Sequence, residues 1–187
     1  MSDGVTREMR HRAGHQEILG ETLAKFDFFE KGWHPYTRFL DVDKVDLVLR
    51  RRKGRQVDYR DVQVKFGKLW PCTHKWEQPL FSRTSWRFFT EKTLRELEER
   101  DGLFLAYVLK FDDPAKPHEL LIFRAAEFAD IIRRADRLGN GNYRVFISRT
   151  KEALPRWVVR RKPKFDTLDE STVIDITHHD RDFALLD

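Results

Sequence analysis

Hydrophobic residues recur along the chain with two different periods, and each change of period marks out an element. Between residues 14 and 31, Ile18, Leu19, Leu23, Phe26 and Phe29 fall on one side of a wheel turned 100° per residue, and Gly32 supplies a stop, which predicts a helix. Two alternating runs follow, the pattern of half-buried strands. Over 44–49, Val45, Leu47 and Leu49 share one face, and Lys44, Asp46 and Val48 the other. Over 60–66, Val62, Val64 and Phe66 point one way while Asp61, Gln63 and Lys65 point the opposite way. Between them, Arg50-Arg51-Arg52-Lys53-Gly54-Arg55 reads as a turn made of cations.

Residues 67–85 lose the rhythm, with Pro71, Pro79 and scattered aromatics, and are predicted to form a long, partly ordered loop. The spacing then predicts a helix over 86–100, strands over 103–111 and 119–124, and a helix over 125–135 with Phe128, Ile131 and Ile132 inward. Gly139-Asn140-Gly141-Asn142 is a turn and 143–148 a further strand; from 155 onward the chain is basic, then acidic, and reads as a peripheral tail with a short strand at 172–176. Helices and strands interleaved in this order predict an α/β fold, a mixed central sheet flanked by helices.

Composition sharpens the picture only in places. A chain of 187 residues fits one domain, and 40% hydrophobic residues beside 36% charged ones excludes an intrinsically disordered chain. Thirty-six Lys plus Arg against 31 Asp plus Glu leave +5, which suits either a polyanionic partner or a plain solubilising surface. Cys72 is the only cysteine, so no disulfide can close within the chain, and a reducing compartment is expected. Residues 1–15 lack the apolar core of a signal peptide, and no window approaches the ~20 apolar residues of a membrane span. Cytoplasmic localisation without membrane contact is the resulting expectation.

The chemistry concentrates on the two predicted strands. Gln63 and Lys65, two apart, share a face, and a hairpin between the strands brings Asp46 to that same face. Phosphodiester hydrolysis uses this mixture: a carboxylate and a second oxygen ligand hold Mg²⁺, and an ammonium orients water or steadies growing negative charge. A polar face on a two-stranded ribbon is also the ordinary solvent side of a half-buried sheet, and Glu21 alone is an ordinary helix-surface carboxylate.

Taken together and in order, these residues resemble the PD-(D/E)xK nuclease superfamily. A helix bearing Gly20-Glu21 and Ala24, then Gly32-Trp33, Asp43-Lys44-Val45-Asp46-Leu47-Val48 and Val62-Gln63-Val64-Lys65 is similar to the αβββ catalytic half of its αβββαβ-type core, and 104–111, the strand around Leu121 and the helix over 125–135 resemble the remainder. The resemblance implies a restriction-endonuclease-like α/β domain over 14–154 with a loop insertion at about 67–85, an N-terminal extension over 1–13, and a C-terminal tail over 155–187. It implies that Asp46 binds the metal, Gln63 stands at the second ligand position, Lys65 is the catalytic lysine and Glu21 the acid from the first helix, with Glu17 in reserve. Mg²⁺ or Mn²⁺ is the implied cofactor, DNA the implied substrate, and a homodimer the implied assembly. The usual acid before x-Lys is replaced by Gln63, which brings no charge; Asp61 and Asp43 are the nearby candidate substitutes. A catalytically inactive nuclease-like module that binds nucleic acid or protein is the alternative that Gln63 raises.

Arg50, Arg51, Arg52, Lys53, Arg55 and Lys68 are candidate phosphate contacts, and Arg156, Arg160, Arg161 and Lys162 form a second basic cluster. Trp70, Trp76 and Trp86 suit either stacking on unpaired bases or packing within the fold. His178 and His179, with Cys72 and His74, lack the paired spacing of a structural zinc site. Cys72 and His74, two apart in a predicted loop, do not make a nucleophile pair. No Gly-rich nucleotide-binding loop occurs, so no nucleotide cofactor is expected.

Overall fold

The chain is described by a computed structural model covering residues 2–37, 44–111, 113 and 115–187, with side chains from residue 14 onward. Asp43 therefore lies outside the described residues.

The first helix, α1 (Ser2–Glu30), begins well before the predicted start and runs straight through the segment expected to be an extension. Its buried side is made by Gly20, Ala24, Asp27 and Phe28, whereas Ile18, Phe26 and Phe29 of the predicted apolar stripe are 69%, 64% and 61% exposed. Close approach explains the rotation. A Cβ at Gly20 would stand 3.0 Å from the Phe66 Cβ, so a bare backbone lets the helix lie directly on the sheet. The helix ends as Gly32 takes φ +80°, with its N–H donating to the Phe29 carbonyl at 3.0 Å.

The strand β1 (His34–Thr37) pairs antiparallel with β2 (Leu47–Lys53), which folds back on β3 (Gln56–Pro71). The turn is tighter than predicted: Arg50 to Lys53 lie within β2, and Gly54 at φ +62° supplies the reversal. The next elements are β4 (Phe81–Phe89), α2 (Glu91–Glu98), β5 (Leu103–Phe111), β6 (His118–Arg124) and α3 (Ala125–Arg133). They are followed by β7 (Asp136–Arg137), β8 (Tyr143–Thr150), β9 (Trp157–Arg160) and β10 (Val173–Asp175).

The 16 residues of β3 organise the sheet. From Asp61 to Leu69 it runs parallel to β5, which pairs antiparallel with β6; at Trp70 and Pro71 it passes instead to β4, and β4 to β8, β9 and β10. The first group is a mixed sheet and the second is antiparallel. Between them β3 and β4 diverge into an open fork.

Three expectations are corrected. Residues 67–85 are mostly strand, and only 72–80 between β3 and β4 fall outside one. The helix expected over 86–100 is the end of β4 followed by the short α2, whose Thr90 side chain caps the Thr93 N–H at 3.1 Å. The region from 155 is no peripheral tail: all of β9 is buried, as are His179 and Leu186. One apolar core lies under α1 (Phe28, Trp33, Leu47, Val62, Val64) and a second on the opposite face with α2 and α3 (Leu94, Leu105, Phe123, Phe128, Ile147). The mixed α/β class read from the sequence is the one observed. Among the described residues, no helix is long and apolar enough to cross a membrane.

Candidate active site

The site forms where β2 breaks away from β3. Asp46 donates its N–H to the Val62 carbonyl at 3.0 Å, and its Oδ2 accepts the Val64 N–H at 2.6 Å. The carboxylate thus takes up a strand amide that a regular ladder would bond to a carbonyl, and it clasps β3 on either side of Gln63. The break also separates Val45 from its predicted face-mates: Val45 joins the core with α2 and α3, while Leu47 and Leu49 join the core under α1. Backbone thus holds the Asp46 side chain against β3.

Gln63 and Lys65 project from the face of β3 opposite α1, as their alternation with Val62 and Val64 requires. Asp46, Gln63 and Lys65 line one cavity of about 280 Å³ with Glu17, Lys44, Thr93, Glu96 and Arg100 among its other walls. The three strand residues singled out in the sequence therefore converge. Burial pushes the Lys65 ammonium below the usual lysine range; the nearby Arg87 cation pushes the same way, and Asp46 and Glu17 oppose it. Glu21 is not in the cavity wall, although its electrostatics tie it to Asp46: burial raises its carboxyl above the usual range, and the Asp46 charge raises it further. Glu17, the reserve acid, lines the cavity itself.

Sequence reasoning missed the wall contributed by α2 and the chain after it. Arg100 lines the cavity with a buried Nη1 that has no hydrogen-bond partner among the described residues, and Lys44 pairs with Glu96 across the mouth. The helical period of α2 was hidden inside a prediction that started at residue 86, so no signal pointed its residues at Asp46.

A second cavity of about 410 Å³ shares Glu17 and Lys65 and continues into the fork, lined by Lys68, Trp70, Ser85, Trp86 and Arg87. At Gly67 the wall is close-packed: a Cβ there would collide with Ser85 Oγ, so a bare backbone is needed for the side chain of β4 to approach β3. Trp70 and Trp86 are 43% and 53% exposed, and Lys68 Nζ lies 5.4 Å from the Trp70 ring. Trp76 instead packs edge-on to Phe165 at 5.6 Å.

Lys68 alone of the predicted phosphate contacts reaches this groove. Arg50, Arg51, Arg52, Lys53 and Arg55 run toward the turn end of the β2–β3 hairpin, four or more residues and so roughly 13 Å or more from Asp46 along the strand. Arg51 is already engaged there, 4.0 Å over the Trp33 ring and paired with Asp187. In the second basic cluster, Arg160 is buried and bonds Glu77 at 2.6 Å, so it is part of the interior. Asp61 is exposed near the hairpin, and burial raises the Cys72 thiol above its usual range, which suits packing and not nucleophilic attack.

No protein-family profile and no curated protein matches the chain. A solved structure that resembles it is that of a bacterial homing endonuclease, I-Ssp6803I, at 14% sequence identity and a TM-score of 0.42, over 80% of this chain and 83% of that one. The functional reading has to rest on the geometry of Asp46, Gln63 and Lys65.

Proposed function

We propose that the protein is a divalent-metal-dependent endonuclease that hydrolyses DNA phosphodiester bonds. The observation that carries the reading is the convergence of Asp46, Gln63 and Lys65 on one cavity, with the aspartate locked by the Val64 N–H. The donors suit Mg²⁺ or Mn²⁺: a carboxylate from Asp46, the amide oxygen of Gln63 and a helical carboxylate from Glu21 or Glu17 are all hard oxygen ligands. The upward push of Asp46 on Glu21 is the repulsion that a shared cation relieves. Bound there, such a metal supplies Lewis acidity toward the phosphate and a more acidic water.

The protein's own groups divide the remaining work. Asp46 and Gln63 would hold the metal, and through it the scissile phosphate. Lys65, with its proton affinity reduced by burial, orients the attacking water and takes up or shares its proton. Arg100 offers its unpartnered Nη1 to a phosphate oxygen. The groove in the fork, with Lys68 and Arg87 for phosphates and Trp70 and Trp86 for bases, leads a strand to the cavity.

The test is cleavage of plasmid, branched and single-stranded DNA with Mg²⁺, Mn²⁺ or chelator. Asp46→Ala and Lys65→Ala are each expected to lower the rate by about 10²-fold or more. Equal rates in the three proteins would remove the assignment. The absence of charge at Gln63 favours one second reading, a nuclease-like module that binds nucleic acid without cutting it. Gln63→Glu separates the two: an intact metal site gains affinity for Mn²⁺, read as a larger thermal shift, whereas a site that holds no metal shows no shift in either protein.

A further inference from the structure

The 3₁₀ turn Thr177–His179 places a second set of ligating groups far from the uses described above. His179 is only 2% exposed, and its Nδ1 lies 2.9 Å from the Ile122 carbonyl oxygen. A carbonyl can only accept, so Nδ1 carries the proton and Nε2 presents a lone pair. That Nε2 is buried without a hydrogen-bond partner among the described residues, and Glu127 Oε1, itself an acceptor, lies 3.5 Å away. The His178 ring stacks beside it, with centroids 4.0 Å apart. One ligand atom each from Glu127, His178 and His179 falls within 4.8 Å of the others.

One ligand atom from each of the three residues therefore lies close to the others, in a corner against Phe123, whose ring is 4.1 Å from that of His179. A cation is what such a group lacks.

We propose that Glu127, His178 and His179 form a binding site for a divalent transition metal of the zinc class, with solvent completing the coordination. Two imidazoles and a carboxylate are the ligand set that such ions accept, and the Nδ1–carbonyl bond is the outer contact that fixes a ligating histidine in the required tautomer. The site is separate from Asp46 and uses none of its residues. Its consequence is structural: Glu127 belongs to the first turn of α3, and the two histidines to the segment after β10, so an ion here fastens the end of the chain to the helix.

The experiment uses the full chain carrying Asp46→Asn, which silences the other carboxylate while keeping an acceptor for the Val64 N–H. Zn²⁺ is titrated by calorimetry and by thermal shift, and Co²⁺ by its visible d–d absorption. One equivalent is expected to bind, to raise the melting temperature and to give a nitrogen- and oxygen-ligated Co²⁺ spectrum. His178→Ala and Glu127→Gln alter side chains that reach solvent and leave the fold intact; each is expected to weaken Zn²⁺ about ten-fold or more. His179→Gln is expected to abolish the spectrum. Absence of stoichiometric binding, or Zn²⁺ affinity in His178→Ala and Glu127→Gln equal to that of the parent protein, would overturn the assignment whether or not the Asp46 site is catalytic.

Discussion

Arg160 and Lys65 are both cations withdrawn from water, and the fold treats them in opposite ways. Arg160, 1% exposed, donates from Nη1 to Glu77 Oε1 at 2.6 Å and from Nε to Ser148 Oγ at 2.9 Å, and its guanidinium lies 4.3 Å from the Phe81 ring. The charge is answered by Glu77 at a point where β4, β8 and β9 meet, and Nη1 and Nε are bonded, while Nη2 has no hydrogen-bond partner among the described residues. Lys65 loses solvent to burial and faces the Arg87 cation, and the acids around it, Asp46 and Glu17, do not restore its ordinary proton affinity. The contrast separates scaffold from site: a compensated buried charge holds strands together, whereas an under-compensated one beside a cavity is suited to proton chemistry.

The strongest way to break the comparison is at the scaffold end. Arg160→Leu leaves Glu77 buried and unpaired, and is expected to cost about 3–5 kcal/mol in chemical denaturation. Adding Glu77→Leu should recover most of that loss. A single-variant cost near zero would mean that the pair is not structural. Lys65→Ala should behave in reverse, with stability unchanged or raised because a desolvated ammonium is removed, while cleavage falls about 10²-fold, equivalent to roughly 2.7 kcal/mol. A destabilised Lys65→Ala would place Lys65 with Arg160.

A third buried charge refines the rule. Burial raises the Asp27 carboxyl, but hydrogen bonds from His118 and Arg181 outweigh it, and the net position is below the usual aspartate range. The stability it contributes is present above the unfolded-state pKa and lost as pH falls through the lower folded value. Asp27→Asn is expected to cost about 1.5–3 kcal/mol at neutral pH, the worth of hydrogen bonds to a charged group, and to flatten the acid limb of the stability curve. An unchanged limb would remove Asp27 from the scaffold.

What the sequence revealed follows the same division. The strands around Asp46, Gln63 and Lys65 were legible because Val62 and Val64, buried under α1, alternate with polar residues, and Gln63 between them is buried on the opposite face. The strand β4 was not, because its pattern is inverted: Thr84 and Ser85 are buried, Thr84 bonding Ser148 at 3.0 Å, while Trp86 and Phe88 face solvent. On α1 the apolar stripe misled for a related reason, since Gly20 and Ala24 win the inner face by being small. Arg160 looked like surface charge because nothing local announces a partner 83 positions away.

That inversion makes β4 the finest test of the comparison, since one strand serves both regions. Phe81, at its start, is fully buried against Arg160, and Trp86, five residues on, stands exposed in the groove beside Lys65 and Arg87. An aromatic that packs nothing inside contributes little to stability, so Trp86→Ala should leave the denaturation midpoint nearly unchanged. If the groove receives unpaired bases, the same change should weaken binding of a single-stranded oligonucleotide by about 1 kcal/mol or more, some fivefold in Kd, measured by fluorescence anisotropy with chelator present. Duplex affinity should move less, because paired bases keep their faces stacked on one another. Equal losses for both substrates would assign the groove to phosphate contact alone, and no loss for either would detach it from the cavity at Asp46.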